Sequence, residues 1–135
     1  MEREIKISFD RRPAHYRPGE QLAGHVDFYL AEPLPVERVE LSVLWHTMGK
    51  GTENSAVILF ETALADQTLT MSSRLPFQTQ LPALPLSYDG QLINIHWLVR
   101  VRVYPQRGRE FGAEARFQLA LTAETSEAEA DIWQT

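Results

Sequence analysis

The sequence predicts an all-β protein, a two-layer antiparallel β-sandwich of about eight strands. Apolar residues recur at every second position in segment after segment, which indicates extended chain with one buried face and one solvated face. Breakers rich in proline and glycine separate these segments. No convincing helix of ten or more residues competes, because only residues 123–132 could wind and they lack an apolar stripe.

The strands are predicted in chain order from the apolar stripes. Four long stripes give the principal strands, at residues 22–30, 39–45, 93–103 and 111–121. Shorter candidates are residues 5–9, 56–62, 67–71 and 75–81. Trp45 and Trp97 belong to the apolar stripes and are therefore predicted to be core residues.

The predicted turns fall between these runs. They are Arg17-Pro18-Gly19, Glu32-Pro33-Leu34-Pro35, Gly49-Lys50-Gly51, Asp89-Gly90 and Gln106-Arg107-Gly108. With no internal repeat and no second domain in sight, residues 1–121 are predicted to form one sandwich domain. Residues 122–135 are predicted to be an acidic C-terminal tail, since they hold four acids and no base.

Composition excludes several classes of function. The 135 residues contain no cysteine, so disulfides, thiolate zinc sites and cysteine nucleophiles are ruled out. Outside the tail the chain has 14 acidic and 13 basic residues, so the predicted sandwich is nearly neutral. No nucleic-acid partner is therefore expected. The N-terminus lacks the apolar run of a signal peptide, and no stretch approaches a membrane span. A cytoplasmic location is the expectation.

Two stretches carry a family resemblance. The first is Tyr16-Arg17-Pro18-Gly19-Glu20 with Gly24 and Val26, a proline-glycine turn that feeds a strand. The second is a strand ending in Leu81-Pro82, the turn Pro85-Leu86-Ser87-Tyr88-Asp89-Gly90, and a returning strand that contains Ile95-His96-Trp97-Leu98-Val99. In this order, and about fifty residues apart, the two stretches together resemble the N-terminal domain of the arrestin-like family.

The resemblance implies an immunoglobulin-like sandwich that serves as a non-catalytic adaptor or scaffold in cargo or receptor binding. The family includes retromer subunits and bacterial sporulation-control proteins, so the resemblance fixes no single process. The chain departs from animal arrestins because it holds one predicted sandwich where they have two. The interdomain polar core of those proteins is therefore not carried over, and no phosphate-sensing residue is assigned.

Four arginines form the first candidate binding site. Arg100 and Arg102 share the outward parity of one predicted strand, and Arg107 and Arg109 follow beyond its turn. Guanidinium groups bind carboxylates and phosphates through paired hydrogen bonds, so an acidic or phosphorylated peptide is a candidate ligand. The alternative is a set of cross-strand ion pairs with Glu110 or Glu114 on the same hairpin.

The second candidate is Ile132 with Trp133 in the acidic tail, where an aromatic anchor suits a docking segment. The alternative is a tail that folds back on its own domain or has no role. Four histidines are candidate metal ligands, His15, His25, His46 and His96, but none has a local ligand spacing. We therefore expect no metal site and no cofactor.

No catalytic residues are predicted. The sequence has no nucleophile elbow of the G-x-S-x-G type and no carboxylate pair that stands out as an acid–base couple. Gly49-Lys50-Gly51-Thr52 resembles part of a phosphate-binding loop but joins strands, which favours a hairpin turn.

Three functions stay open at this point. The leading hypothesis is a protein-interaction module that contacts a partner, or another copy of itself, through sheet edges and loops. The second is a small-ligand or carbohydrate-binding sandwich that uses Tyr29 and Tyr104 as an exposed platform. The third is an enzyme whose site is assembled from distant residues.

Overall fold

The computed structural model describes residues 3–49, 53–90 and 93–121, and these form nine β-strands. In chain order the strands are β1 (Arg3–Phe9), β2 (His15–Tyr16), β3 (Gln21–Leu30), β4 (Leu34–Gly49), β5 (Ser55–Leu69), β6 (Ser72–Gln80), β7 (Tyr88–Asp89), β8 (Ile93–Pro105) and β9 (Phe111–Leu119). No helix occurs in the described ranges. The predicted all-β class is confirmed.

The strands form two sheets. The smaller sheet has the order β1-β3-β6, and the larger has the order β2-β9-β8-β4-β5, with β7 paired to β8. Every pairing is antiparallel except that of β2 with β9, which is parallel. The predicted two-layer antiparallel sandwich is confirmed, and the parallel pair lies at one edge, where β2 contributes only two residues.

The core lies between the two sheets and is built from the predicted stripes. Val26 and Phe28 of β3 and Trp97, Val99 and Val101 of β8 are all buried in one continuous cluster. Period-two alternation places these side chains on one face of each strand, because successive side chains of a strand point to opposite faces. Trp97 is fully buried, as predicted. Trp45 is half-buried and packs against the same cluster.

The first motif of the family resemblance has a packing explanation. Gly19 has a φ of 81°, which glycine adopts without strain, in the turn that leads into β3. Gly24 lies opposite Phe9 of β1 on one side and Phe77 of β6 on the other. A Cβ atom there would collide with the Ser8 carbonyl oxygen and approach the Phe77 ring to 2.6 Å. Glycine at position 24 thus allows three strands to pack closely.

The second motif is hydrogen-bonded to two adjacent strands of the large sheet, β8 and β9. The Trp97 indole Nε1 donates a hydrogen bond of 2.7 Å to the carbonyl oxygen of Pro85. The Ser87 amide donates to the Leu119 carbonyl oxygen at 2.8 Å, and the Leu119 amide donates to Ser87 Oγ at 2.9 Å. These bonds hold the segment before β7 against β8 and β9.

Two predicted strands prove to be one. Residues 56–62 and 67–71 were predicted as separate strands, but β5 runs continuously through Ser55–Leu69 and the turn falls at residues 70–71. The β4–β5 register shifts twice, and Ile58 and Ala63 are the unpaired extra residues on β5. Such bulges disturb the two-residue period and break one apolar stripe into two. Leu34 and Pro35, predicted as part of a turn, begin β4.

Candidate interaction surface

The large sheet has an outer face that points away from the core. On β8 it carries the alternate residues His96, Leu98, Arg100 and Arg102, and on β4 it carries Ser42, Leu44 and His46. We call this surface, together with the outward side chains of β5 and β9, the outer face. It holds two of the four predicted binding arginines.

Both of these arginines are neutralised by glutamates of β9 or of the loop before it. Arg100 Nε donates to Glu114 Oε2 at 2.6 Å, and the two residues are direct register partners. Arg102 Nη1 lies 3.8 Å from Glu110 Oε2. The four side chains line an open depression of about 460 Å³ whose formal charge is balanced. The cross-strand ion pairs raised as the alternative are therefore the arrangement observed.

The other two predicted arginines lie apart from this depression. Arg107 and Arg109 are exposed in the loop between β8 and β9 and do not line it. No acid within the described ranges forms an ion pair with either of them. The four arginines thus do not converge on one site. Ile132 and Trp133, the other predicted binding residues, lie outside the described residues, as does Lys50 of the predicted 49–51 turn.

The two tyrosines of the carbohydrate hypothesis do not form a platform. Tyr29 is 45% exposed and belongs to β3 of the small sheet, whereas Tyr104 belongs to β8 of the large sheet. The guanidinium of Arg38 covers the Tyr104 ring, 3.8 Å from its centroid, and donates to Glu40 at 2.9 Å. Burial and the neighbouring Glu40 raise the pKa of the Tyr104 phenol. A sugar ring stacked on both tyrosines is geometrically excluded.

Exposed apolar side chains occur where the outer face meets β5. Val57 and Phe60 are 55% and 57% exposed, and they are paired in register with Leu44 and Ser42 of β4. Leu44 and Leu98 adjoin them across β4 and β8 and are buried despite their outward parity. Together these four residues form an apolar patch, which we call the β5 patch.

The β5 patch was not among the predicted binding sites, although the sequence contains a signal for it. Residues 56–60 are all apolar, Ala-Val-Ile-Leu-Phe, and an unbroken apolar run on a strand points side chains to both faces. Such a run is expected where both faces of a sheet are covered. Here the outer side chains Val57 and Phe60 are exposed because β5 lies at the edge of its sheet.

The edge of β5 is open in the described part of the chain. β5 stands last in the order of the large sheet, and none of the described strands pairs with its far side. An unpaired strand edge presents backbone donors and acceptors to another chain. The bulges at Ile58 and Ala63 interrupt this edge, and such interruptions limit unrestricted strand-to-strand association.

The histidines give no metal centre. His46 and His96 are register partners with ring centroids 5.8 Å apart, and His96 Nε2 lies 3.1 Å from Asp89 Oδ1. His25 Nε2 lies 3.4 Å from Asp27 on the small sheet. Within residues 3–49, 53–90 and 93–121, no group of three or more candidate ligands could hold a metal ion.

Two polar side-chain pairs hold strands and loops together. Arg74 Nε of β6 donates to Asp27 Oδ1 of β3 at 2.7 Å, and this bond lowers the pKa of Asp27. The Tyr16 hydroxyl donates to Asp10 Oδ1 at 2.6 Å. Burial, and after it this hydrogen bond, raise the pKa of Tyr16. Both pairs have their partners within the fold, so neither acid is poised as a free acid or base.

Comparison with known proteins supports the architecture. No family model matches the sequence, and no curated protein matches it. Among solved structures, the crystal structure of Spo0M, a sporulation control protein from Bacillus subtilis, superposes with a TM-score of 0.70 over 96% of this chain. The chain has the arrestin-like fold of Spo0M. Sequence identity is 16%, so this likeness concerns the fold alone.

The superposition also shows a difference in length. The chain spans 55% of Spo0M. The predicted arrestin-like resemblance is confirmed as a resemblance of fold, with two sheets. No helix in the described ranges has the length and apolar character that crossing a membrane requires.

Proposed function

We propose that this protein is a non-catalytic interaction module that binds a partner protein through the β5 patch and the adjoining outer face. The observation that carries the proposal is the exposure of Val57 and Phe60 beside an open sheet edge. Apolar side chains clustered at such an edge favour contact with another protein surface. An adaptor role in the cytoplasm, with residues 1–121 as the binding domain and 122–135 as an accessory tail, is part of this proposal.

The balanced charge of the outer face favours a partner that binds through complementary shape and burial of apolar surface, and not through opposite charge. The ion pairs Arg100–Glu114 and Arg102–Glu110 leave the outer face with balanced charge near the patch. A partner therefore needs no complementary charge to approach, and the patch provides the favourable free energy. Burial of a fully exposed phenylalanine side chain contributes about 1.5–3 kcal/mol. Phe60 is 57% exposed, so its burial against a partner is expected to contribute about half of that.

The proposal is tested by comparing lysine substitutions of exposed residues on the two sheets. Phe60→Lys and Val57→Lys place a charge in the β5 patch, whereas Tyr29→Lys makes a similar change on the small sheet. Each variant and the wild type are used for affinity capture from the native host, with quantitative mass spectrometry and a differently tagged copy of the chain present. Light scattering of the purified chain reports self-association separately.

We expect at least one protein, or the second copy, whose recovery falls about tenfold with both β5-patch variants and not with Tyr29→Lys. Circular dichroism and thermal melting establish that all variants remain folded. Equal recovery of every captured protein by the wild type and the β5-patch variants would overturn the proposal.

A further inference from the structure

The large sheet forks at one end, and an open polar cavity lies at the fork. β9 stays paired with β8 up to Trp97 and Phe117 and then leaves it to pair with β2. Beyond this point β7 takes the place of β9 beside β8, pairing Tyr88 with Ile95. The resulting cavity has a volume of about 370 Å³. Its polar lining consists of His15, Ser87, Asp89, Arg116 and Gln118.

Backbone hydrogen bonds fix the walls of this fork. Gln118 N donates to the Ala14 carbonyl oxygen at 2.9 Å, and the carbonyl oxygen of His15 accepts from Arg11 Nη1 at 3.1 Å. Ser87 Oγ accepts the Leu119 amide at 2.9 Å, which fixes the hydroxyl oxygen and leaves its hydrogen available to donate. The backbone that carries the side chains of His15 and Ser87 is therefore fixed by hydrogen bonds.

Two nitrogen-bearing groups at the fork lack protein partners. His15 Nδ1 is buried and forms no hydrogen bond with any described residue. This nitrogen is closed to solvent, so the ring can meet a ligand in the cavity only through its other nitrogen, Nε2. Arg116 lines the same cavity and forms no ion pair with any acid in the described ranges. Its guanidinium offers up to five donors.

The acid at the fork is already engaged. Asp89 Oδ1 lies 3.1 Å from His96 Nε2, and the Asp89 side chain is 75% exposed, so water screens its charge. Arg116, the Gln118 side-chain amide, the Ser87 hydroxyl and the His15 ring are the lining groups able to donate. Oxyanions accept several hydrogen bonds and pair strongly with a guanidinium. A neutral molecule of the same size would gain less from this lining.

We propose that the fork between β2, β7 and β9 binds an oxyanion, a carboxylate or phosphate group, held by Arg116, the Ser87 hydroxyl and the His15 ring. The proposal does not depend on the exposed residues of the β5 patch, Val57 and Phe60, which lie at the opposite edge of the large sheet. Only the buried Leu98 of that patch adjoins the site, as the register partner of Arg116. The anion is assigned to Arg116, which was not among the predicted binding residues. Arg100 and Arg102, which were, are neutralised by Glu114 and Glu110.

The test uses two-dimensional NMR of the full chain at constant ionic strength, set with chloride. Inorganic phosphate, acetate and acetamide are titrated separately, because acetamide has the shape of acetate without its charge. We expect saturable shifts of the Ser87, Arg116 and Leu119 amides with phosphate or acetate and none with acetamide. The anion that binds more tightly shows whether the site prefers a phosphate or a carboxylate group.

Three variants make the assignment specific. Arg116→Gln should weaken binding about tenfold, since it removes a charged hydrogen-bonding partner. Arg107→Gln removes an equally exposed arginine from the β8–β9 loop and should leave the affinity unchanged. Asp89→Asn removes the acid at the rim and should strengthen binding, an effect opposite to that of general damage. The absence of saturable shifts, or equal effects of Arg116→Gln and Arg107→Gln, would overturn the proposal.

Discussion

Substitution of Gly24 by alanine is expected to destabilise the fold, although alanine replaces glycine favourably in most strands. The added methyl group would meet the Ser8 carbonyl oxygen and lie 2.6 Å from the Phe77 ring. Phe77 is buried and packs edge-on against Phe9, with ring centroids 6.1 Å apart, so its ring has little room to withdraw. The backbone carbonyl of β1 moves only if the strand moves.

The magnitude follows from two opposing effects. Overpacking a filled site lowers the free energy of unfolding by about 1–3 kcal/mol. Replacing glycine restricts the unfolded chain, which raises the free energy of unfolding by about 0.4–1 kcal/mol. The net loss is therefore about 1–2 kcal/mol. For a domain of this size it corresponds to a fall in melting temperature of roughly 3–10 °C.

Urea unfolding of Gly24→Ala, Phe77→Leu and the double variant measures this loss and its origin. Phe77→Leu removes the ring but leaves the Ser8 carbonyl in place, so the double variant should recover part of the loss and not all of it. Gly19→Ala is the control, because no atom lies within 4 Å of its added methyl and its cost arises from the backbone conformation. Its loss should be independent of residue 77. A Gly24→Ala protein as stable as the wild type would refute the packing argument.

Two further predictions concern acid stability and the tail. The lowered pKa of Asp27 contributes stability above its unfolded pKa of about 4, and this is lost as the pH falls through the folded pKa. Asp27→Asn should therefore flatten the dependence of the urea midpoint on pH between neutral and acidic buffers, and an unchanged slope would contradict this. Deleting residues 122–135 should leave the melting temperature within about 2 °C, because the core cluster formed by the described residues, which ends at Leu119, already fills the space between the two sheets. A larger fall would show that the tail is structural.

The fold class was predictable because the apolar period is a local property of each strand. The stripes over residues 22–30 and 93–103 predicted β3 and β8, and the burial of Val26 and Trp97 follows the same parity. Prediction failed where the period was disturbed. The bulges at Ile58 and Ala63 divided β5 into two apparent strands, and β2 and β7 have only two residues each, too few to show a period.

The candidate sites were less predictable than the fold. The parity of β8 placed Arg100 and Arg102 on the outer face correctly, and the hairpin made their pairing with Glu114 and Glu110 foreseeable. Arg116 has the same residue type and the same outward parity, yet its neighbours at the fork come from β2 and the segment before β7, which are distant in sequence. No local pattern reports such proximity.

The sequence by itself determined that alternate side chains are buried and where the chain turns. Those properties depend on neighbours within a few residues. The tertiary structure alone decided that, among the described strands, β5 is an edge strand with Val57 and Phe60 exposed, and that β9 parts from β8 beside His15. Strand order decides which edges are free, and that order is set by contacts between segments far apart in the chain.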